Sequence, residues 1–302
     1  MSTDEWQELP RGFAVSSADS PPPEVVVQVE FGAQSRRGTL RPVNEDHYLI
    51  VRLGRNQETL MTSLPDHEVP QRFDEHGYGM VIADGVGGTG AGETASRLAI
   101  ATLTHLVIHF GRWNLRIDED IAREVMARAE RFYRRVDSTL LHRSADAQRL
   151  QTTLTAAFSA GRELFLVHVG HSRAYLFRNG RLSRLTRDHT LADEPATGIG
   201  PLLNIAASAR DLHHILTETI GSADLSGPMI DIERASLENG DVILLCTNGL
   251  SDMVGDDRIA DVLGQSDRTC PEQCTALVNL AVQAGGDDDV TVLVARYRIP
   301  EE

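Results

Sequence analysis

The sequence predicts an α+β fold in which strands and helices come in groups and do not alternate strictly. Three observations lead there. Short β-branched and apolar segments recur at residues 25–29, 47–51, 79–83, 153–159, 164–169, 174–177, 242–246 and 290–297, each the length of a strand. Three longer stretches carry a helical period. Asn179-Gly180 separates 174–177 from 181–185, and Asn-Gly is the strongest short hairpin signal, because both central residues must tolerate positive φ. Grouped strands and helices favour a layered α+β arrangement over a doubly wound parallel sheet.

Taken in order, residues 1–28 are rich in Ser, Pro and acidic residues, include Pro21-Pro22-Pro23, and read as a flexible tail before a folded region at 29–300. The first helix follows Gly92, with Ala95, Leu98, Thr102 and Leu106 as its apolar stripe. The second runs from about Asp118 to Leu141, with Ile121, Val125, Ala129, Phe132 and Val136 on one face. The third starts at Pro271, a good first helical position, and stops at Gly285-Gly286. Residues 55–76 and 190–217 read as long polar insertions, and both are expected to shape access to a site.

Composition narrows the chemistry. The 302 residues carry 29 basic and 44 acidic side chains, a formal charge of −15, which opposes binding to a polyanion and excludes a nucleic-acid partner. All basic residues are arginine, so no Schiff-base lysine, pyridoxal-phosphate anchor or P-loop lysine exists. No apolar run approaches the ~18 residues of a membrane span, so no membrane partner is expected. The three cysteines are too few for a disulfide framework, and Cys270 and Cys274, four apart, read as core-facing on a helix. Together these features predict a soluble, cytoplasmic protein.

Acidic residues gather at strand ends: Glu45-Asp46 before one strand, Asp84-Gly85 closing another, and Asp287-Asp288-Asp289 before a third. If those ends converge, the carboxylates repel one another unless cations neutralise them, and oxygen-only ligation selects Mg²⁺ or Mn²⁺. Gly85, Gly87 and Gly90 also match the G-x-G-x-x-G of a dinucleotide turn. Asp84 directly before the first glycine would face a pyrophosphate with like charge, and the βαβ rhythm is missing, so that reading is weak.

Seven motifs occur in order: Arg41-Pro-Val-Asn-Glu45-Asp46; Ala83-Asp84-Gly85-Val-Gly-Gly88 with Gly92-Glu93-Thr-Ala-Ser96; Thr152-Thr153-Leu154; Val169-Gly170-His171-Ser172-Arg173; Leu185-Thr-Arg-Asp188-His189; Leu245-Cys-Thr-Asn248-Gly249-Leu250-Ser-Asp252; and Gly285-Gly-Asp-Asp288-Asp289-Val-Thr291. Together, over about residues 29–298, they resemble the metal-dependent protein serine/threonine phosphatases of the type 2C (PPM) family, bacterial members above all.

The resemblance implies a four-layer αββα sandwich, two antiparallel β-sheets flanked by helices, with two metal ions, Mg²⁺ or Mn²⁺, at one end. It implies that Glu45, Asp84 and the carbonyl of Gly85 hold one ion, and that Asp84, Asp288 and Asn248 hold the other. Asp46 would act from behind, hydrogen-bonding water on the ions, and Arg41 would clamp the phosphate. The implied reaction is hydrolysis of phosphoserine and phosphothreonine by a metal-activated water. The implied partners are a phosphorylated protein and a serine/threonine kinase that it opposes.

Two positions depart from the family pattern. His171 stands in place of the aspartate of Gly-Asp-Ser-Arg, and Asn248 in place of the aspartate of Asp-Gly-Leu. In the family these aspartates, with one matching Asp252, are associated with a third metal, so His171 and Asp252 become third-site candidates. Asn248 offers an amide oxygen without charge, which predicts a weaker second ion. Asp289, where the family has asparagine, would partly restore charge. Against the active enzyme stands the alternative of a pseudophosphatase that binds phosphoproteins with little turnover.

Overall fold

The computed structural model describes residues 27–65, 68–87, 90–111, 117–144, 149–193, 212–222 and 226–300. The remaining residues, including nearly all of the predicted tail, lie outside the described ones. Among the described residues, eleven strands form two antiparallel sheets. The first has the order β1 (Gln28–Arg36), β11 (Val290–Arg298), β10 (Val242–Cys246), β7 (Arg173–Arg178), β8 (Arg181–Arg184). The second has the order β2 (Asp46–Glu58), β3 (Arg72–Val86), β5 (Leu154–Ala160), β6 (Glu163–Val169), β9 (Asp231–Ser236), with β4 (Gln151–Thr152) pairing the end of β3.

Alternation along the strands builds the layers, since successive side chains point to opposite faces. On β11, Leu293, Ala295 and Tyr297 enter the core between the sheets, where Met80 and Ile82 of β3 and Ile243 and Leu245 of β10 meet them. Val292 and Val294 point the other way, onto helix α5 (Cys270–Gln283) and α4 (Asp256–Leu263), with the short α3 (Asn248–Ser251) beside them. Val81 and Ala83 of β3 and Val167 and Val169 of β6 face α1 (Ala91–Phe110) and α2 (Glu119–Arg143). Both sheets are covered on both faces, which is the four-layer αββα sandwich. Each fully buried Leu, Ile or Val contributes about 1.5–3 kcal/mol.

Several local expectations hold. Asn179 and Gly180 both have positive φ, 52° and 78°, and join β7 to β8. Helix α5 carries a capping box between Thr269 and Glu272 with proline in its first turn, one residue earlier than predicted. Cys270 and Cys274 are free and buried in the core below it.

Other expectations need correction. The first strand begins at Gln28, with Val27 of the predicted 25–29 outside it and Val25 and Val26 outside the described residues. Residues 55–76 are a loop only in part: β2 runs to Glu58 and β3 starts at Arg72, paired as a long two-stranded arm, while residues 59–65 and 68–71 between them are in no strand or helix. The helical faces are also turned. Helix α1 buries Ala95, Ala99, Leu103 and Leu106 while Leu98 is only partly buried, and α2 buries Ala122, Tyr133, Val136 and Leu140. Ala129 and Phe132 of the predicted α2 stripe stay half-buried. Helices α3 and α4 and strand β9 have no counterpart in the sequence reading, because each is short and two of them are largely polar.

Candidate active site and metal centre

The predicted site residues meet at one end of the sandwich, where four chain segments are tied together. β2 and β3 start and end there, with Asp46 opposite Asp84 in register. β1 leaves and β11 enters there, with Arg36 opposite Val290. The segment 37–45 is stapled to 286–289 by hydrogen bonds from Thr39 N–H to the Gly286 carbonyl (2.9 Å) and from Leu40 N–H to that of Asp287 (3.2 Å). Asp289 completes the staple: Gly38 N–H donates to its Oδ1 at 2.9 Å and Glu45 N–H to its Oδ2 at 2.7 Å. Both oxygens of Asp289 are therefore engaged with backbone, so it joins two loops, while its charge still acts on Arg41, Asp46 and Asp84.

Arg41 lies at the centre. Its Nε and Nη2 donate to Oδ1 and Oδ2 of Asp288 at 2.6 and 2.9 Å, a fork-on-carboxylate pair. Its Nη1 is 3.9 Å from Glu45 Oε2. The hydrogen bonds to Asp288 hold the guanidinium charged well above its ordinary range, and Asp84 and Asp289 add to that. Arg41 is one-third exposed, at 33%, whereas Glu45 is sealed at 3%.

Glu45 is held on both sides. Gly90 N–H, at the N-terminus of α1, donates to its Oε1 at 3.0 Å, where the helix dipole favours negative charge. Its own carbonyl accepts from Gly85 N–H at 3.1 Å and from Ser96 Oγ at 2.6 Å. Gly85 explains this proximity. A Cβ there would lie 2.1 Å from the Gly92 carbonyl oxygen, so only glycine lets the end of β3 reach α1. Helix packing alone therefore demands glycine at 85. Gly88 lies outside the described residues.

Asp84 is fixed through its backbone. Its N–H donates to Thr153 Oγ1 at 3.0 Å, and its carbonyl accepts from Thr153 N–H at 2.9 Å and Thr152 Oγ1 at 2.8 Å. Burial first, then the charges of Asp46 and Asp288, push its carboxyl well above the usual carboxylate range, and Arg41 opposes them. Asp46 is pushed up to about 7, by burial first and by Asp289 and Asp288 after it. Its Oδ2 accepts from Thr247 Oγ1 at 2.9 Å, and its Oδ1 is buried with no partner.

His171, Asn248 and Asp252 form the other half of the site. Asn248 Nδ2 donates to Asp252 Oδ2 at 3.3 Å, and its Oδ1 is buried without a partner. Burial drives His171 down to about 4, so its imidazole is neutral, and its buried Nδ1 has no partner. His214, from the predicted 190–217 insertion, brings Nδ1 to 3.5 Å from Asp252 Oδ2. The sequence reading missed His214; nothing in its local pattern marks it, and residues 194–211 of that insertion lie outside the described residues. The other predicted access loop is corrected: the tip of the β2–β3 arm is roughly 40 Å along the strands from Asp46 and Asp84.

Asp188 and His189, quoted in a motif but given no role, support this half from below. Arg173 Nε and Nη2 grip Asp188 at 3.0 and 2.6 Å. Gly170 N–H donates to His189 Nδ1 at 3.2 Å, and His189 Nε2 lies 3.0 Å from Asp231 Oδ2, which fixes the proton on Nε2.

These residues fit a hard divalent cation. The donors are oxygen-rich, the carboxyls of Asp46 and Asp84 are raised by burial and then by neighbouring carboxylates, both of which a cation would offset, and buried Oδ1 atoms of Asp46 and Asn248 lack partners. As the side chains stand, no three Asp, Glu, His or Cys among the described residues enclose an ion, because Asp288 is turned onto Arg41.

The chain matches the family model described as Protein phosphatase 2C over residues 69–279, more than half of its length. It is 31% identical over 279 residues to the serine/threonine protein phosphatase PstP of Mycobacterium tuberculosis, covering 90% of this chain and 45% of that protein. It is 30% identical over 217 residues to the protein phosphatase PhpP of Streptococcus pneumoniae, covering 70% and 83%. This chain thus spans about half the length of the mycobacterial relative. Its fold superposes with a TM-score of 0.64 and 28% identity on a crystal structure of the catalytic domain of PstP in complex with two manganese ions, covering 90% of this chain and 99% of that one. The motifs, the sandwich and these matches agree: the chain belongs to the protein phosphatase 2C family of metal-dependent protein serine/threonine phosphatases.

Proposed function

We propose that this chain hydrolyses phosphoserine and phosphothreonine in proteins, with two Mg²⁺ or Mn²⁺ ions held by Glu45, Asp84, the Gly85 carbonyl, Asp288 and Asn248. The observation that carries this reading is the meeting of Arg41 with Glu45, Asp84 and Asp288 at one end of both sheets. Bound divalent cations neutralise phosphate oxygens and activate water at neutral pH.

The chain's own groups do the rest. The Arg41 fork matches two phosphate oxygens as it matches the two oxygens of Asp288, so a phosphate ester takes the place of that carboxylate and releases it toward a cation. Asp46, its Oδ2 held by Thr247, would orient the attacking water through a hydrogen bond. The leaving alkoxide takes its proton from water. The substrate is a phosphorylated protein, and a serine/threonine kinase is the partner whose product it removes. The free, buried cysteines suit a reducing, cytoplasmic setting, and among the described residues no helix is long and apolar enough to cross a membrane.

Phosphate release from a phosphothreonine peptide with Mg²⁺ or Mn²⁺, with and without a chelator, tests this reading. Release that stops on chelation is expected. The uncharged Asn248 and neutral His171 favour a second reading, a phosphoprotein-binding module. Folded protein that releases no phosphate with any ion selects it.

A further inference from the structure

Away from the acid cluster, a crevice of about 260 Å³ separates the outer face of the second sheet from α1 and α2. Leu49 and Val51 of β2, Val107 of α1, Phe132 of α2, and Phe158 and Phe165 of the central strands line it. Close-packed interiors hold few voids larger than a water, and apolar cavities of this order stay dry and accept apolar guests. Val125, Ala129 and Phe132, the α2 stripe that the sequence marks as core, are only half-buried because they border this space.

The charged residues of the crevice lining itself are arginines. In a chain of net charge −15, its lining includes Arg52 and Arg128 and no carboxylate. The Arg128 side chain is 12% exposed and pairs with Glu124, which is 41% exposed, so the guanidinium lies beside apolar walls with its acidic partner toward solvent. Arg52 is exposed on β2.

We propose that this crevice binds a small anionic amphiphile, a carboxylate with a hydrocarbon chain on the order of ten carbons, suited to a space just below the usual ligand-pocket range. The chain lies between the aromatic and aliphatic walls, and the carboxylate meets Arg52 and Arg128. The proposal is independent of the phosphatase reading.

Calorimetric titration of the full chain with decanoate, decanol and decyltrimethylammonium tests it. Decanoate is expected to bind saturably at one site, decanol about tenfold more weakly, and the cation more weakly still. Ala129→Phe, which fills the crevice, is expected to weaken decanoate binding at least about tenfold while the melting temperature is kept or raised. Ala156→Leu does the same from the sheet side should the first variant fail to fold. The double variant Arg52→Gln/Arg128→Gln is expected to bring decanoate and decanol to similar affinities. No saturable binding by the unaltered chain, equal binding of all three amphiphiles, or undiminished binding in a folded crevice-filling variant would each overturn the proposal.

Discussion

The two halves of the site are built on opposite terms. Around Arg41, three carboxylates are held by backbone hydrogen bonds, a helix terminus and a guanidinium, and burial and crowding raise the carboxyl of Asp84. Around Asp252 lie an uncharged Asn248, His214 and the paired Arg173 and Asp188, and the nearby His171 is neutral. The first half stores repulsion that a cation relieves; the second has already lost most of its negative charge. The demand for metal is therefore uneven, strong at Glu45, Asp84 and Asp288 and weak at Asn248.

The largest expected effect comes from the charged half. Asp84→Asn should lower phosphate release by about 10³-fold or more, since the residue serves both proposed ions. In metal-free buffer the same variant should melt higher, because one repelling carboxylate is gone. Activity and melting scans would read these opposite signs, and a lower metal-free melting temperature would contradict the stored repulsion.

In the neutral half, His171→Asp puts a new carboxylate near Asp188 and Asp288. It should cost about 1–3 kcal/mol of metal-free stability, and Mn²⁺ should restore part of it. Denaturant unfolding with and without the ion measures both. A smaller gain is expected from Asn248→Asp, about tenfold tighter binding of the second Mn²⁺ with faster turnover. Equal affinity in that variant would mean that the asparagine is not a simple loss.

A separate effect concerns pH. His168, below the neutral half, is buried between Thr155 and the Arg187 carbonyl and is driven by burial, then by His189, down to about 3. The unfolded chain takes up a proton near pH 6.5 that the folded chain refuses, so this contribution is fully present above pH 6.5 and is lost as pH falls toward 3. Stability should decline by up to about 1.4 kcal/mol per pH unit in that window. His168→Gln should flatten the profile, which melting scans from pH 7 to 5 would detect.

What the sequence made legible follows from where the signals are local. The buried runs of β10 and β11 and the Asn-Gly turn could be read directly, because strand period and turn chemistry act over a few residues. The β2–β3 arm reads as a loop because beyond Leu53 most of its side chains are polar and exposed, leaving no hydrophobic alternation. The faces of α1 and α2 came out turned, since the apolar residues extend around the helix and only the packed sheet decides which are buried. Arg41, Glu45, Asp84 and Asp288 were found through motifs. The engagement of Asp289 with Gly38 and Glu45, and of His214 with Asp252, comes from tertiary pairing that no local pattern encodes.

Direct titration of Mn²⁺ into the full chain, its Asp84→Asn variant and its Asn248→Asp variant bears most squarely on the unequal halves. The account predicts one tighter and one weaker ion in the unaltered chain, weakening of both on removing the Asp84 charge, and strengthening of the weaker one on adding charge at 248. Unchanged Mn²⁺ binding in Asp84→Asn would contradict it.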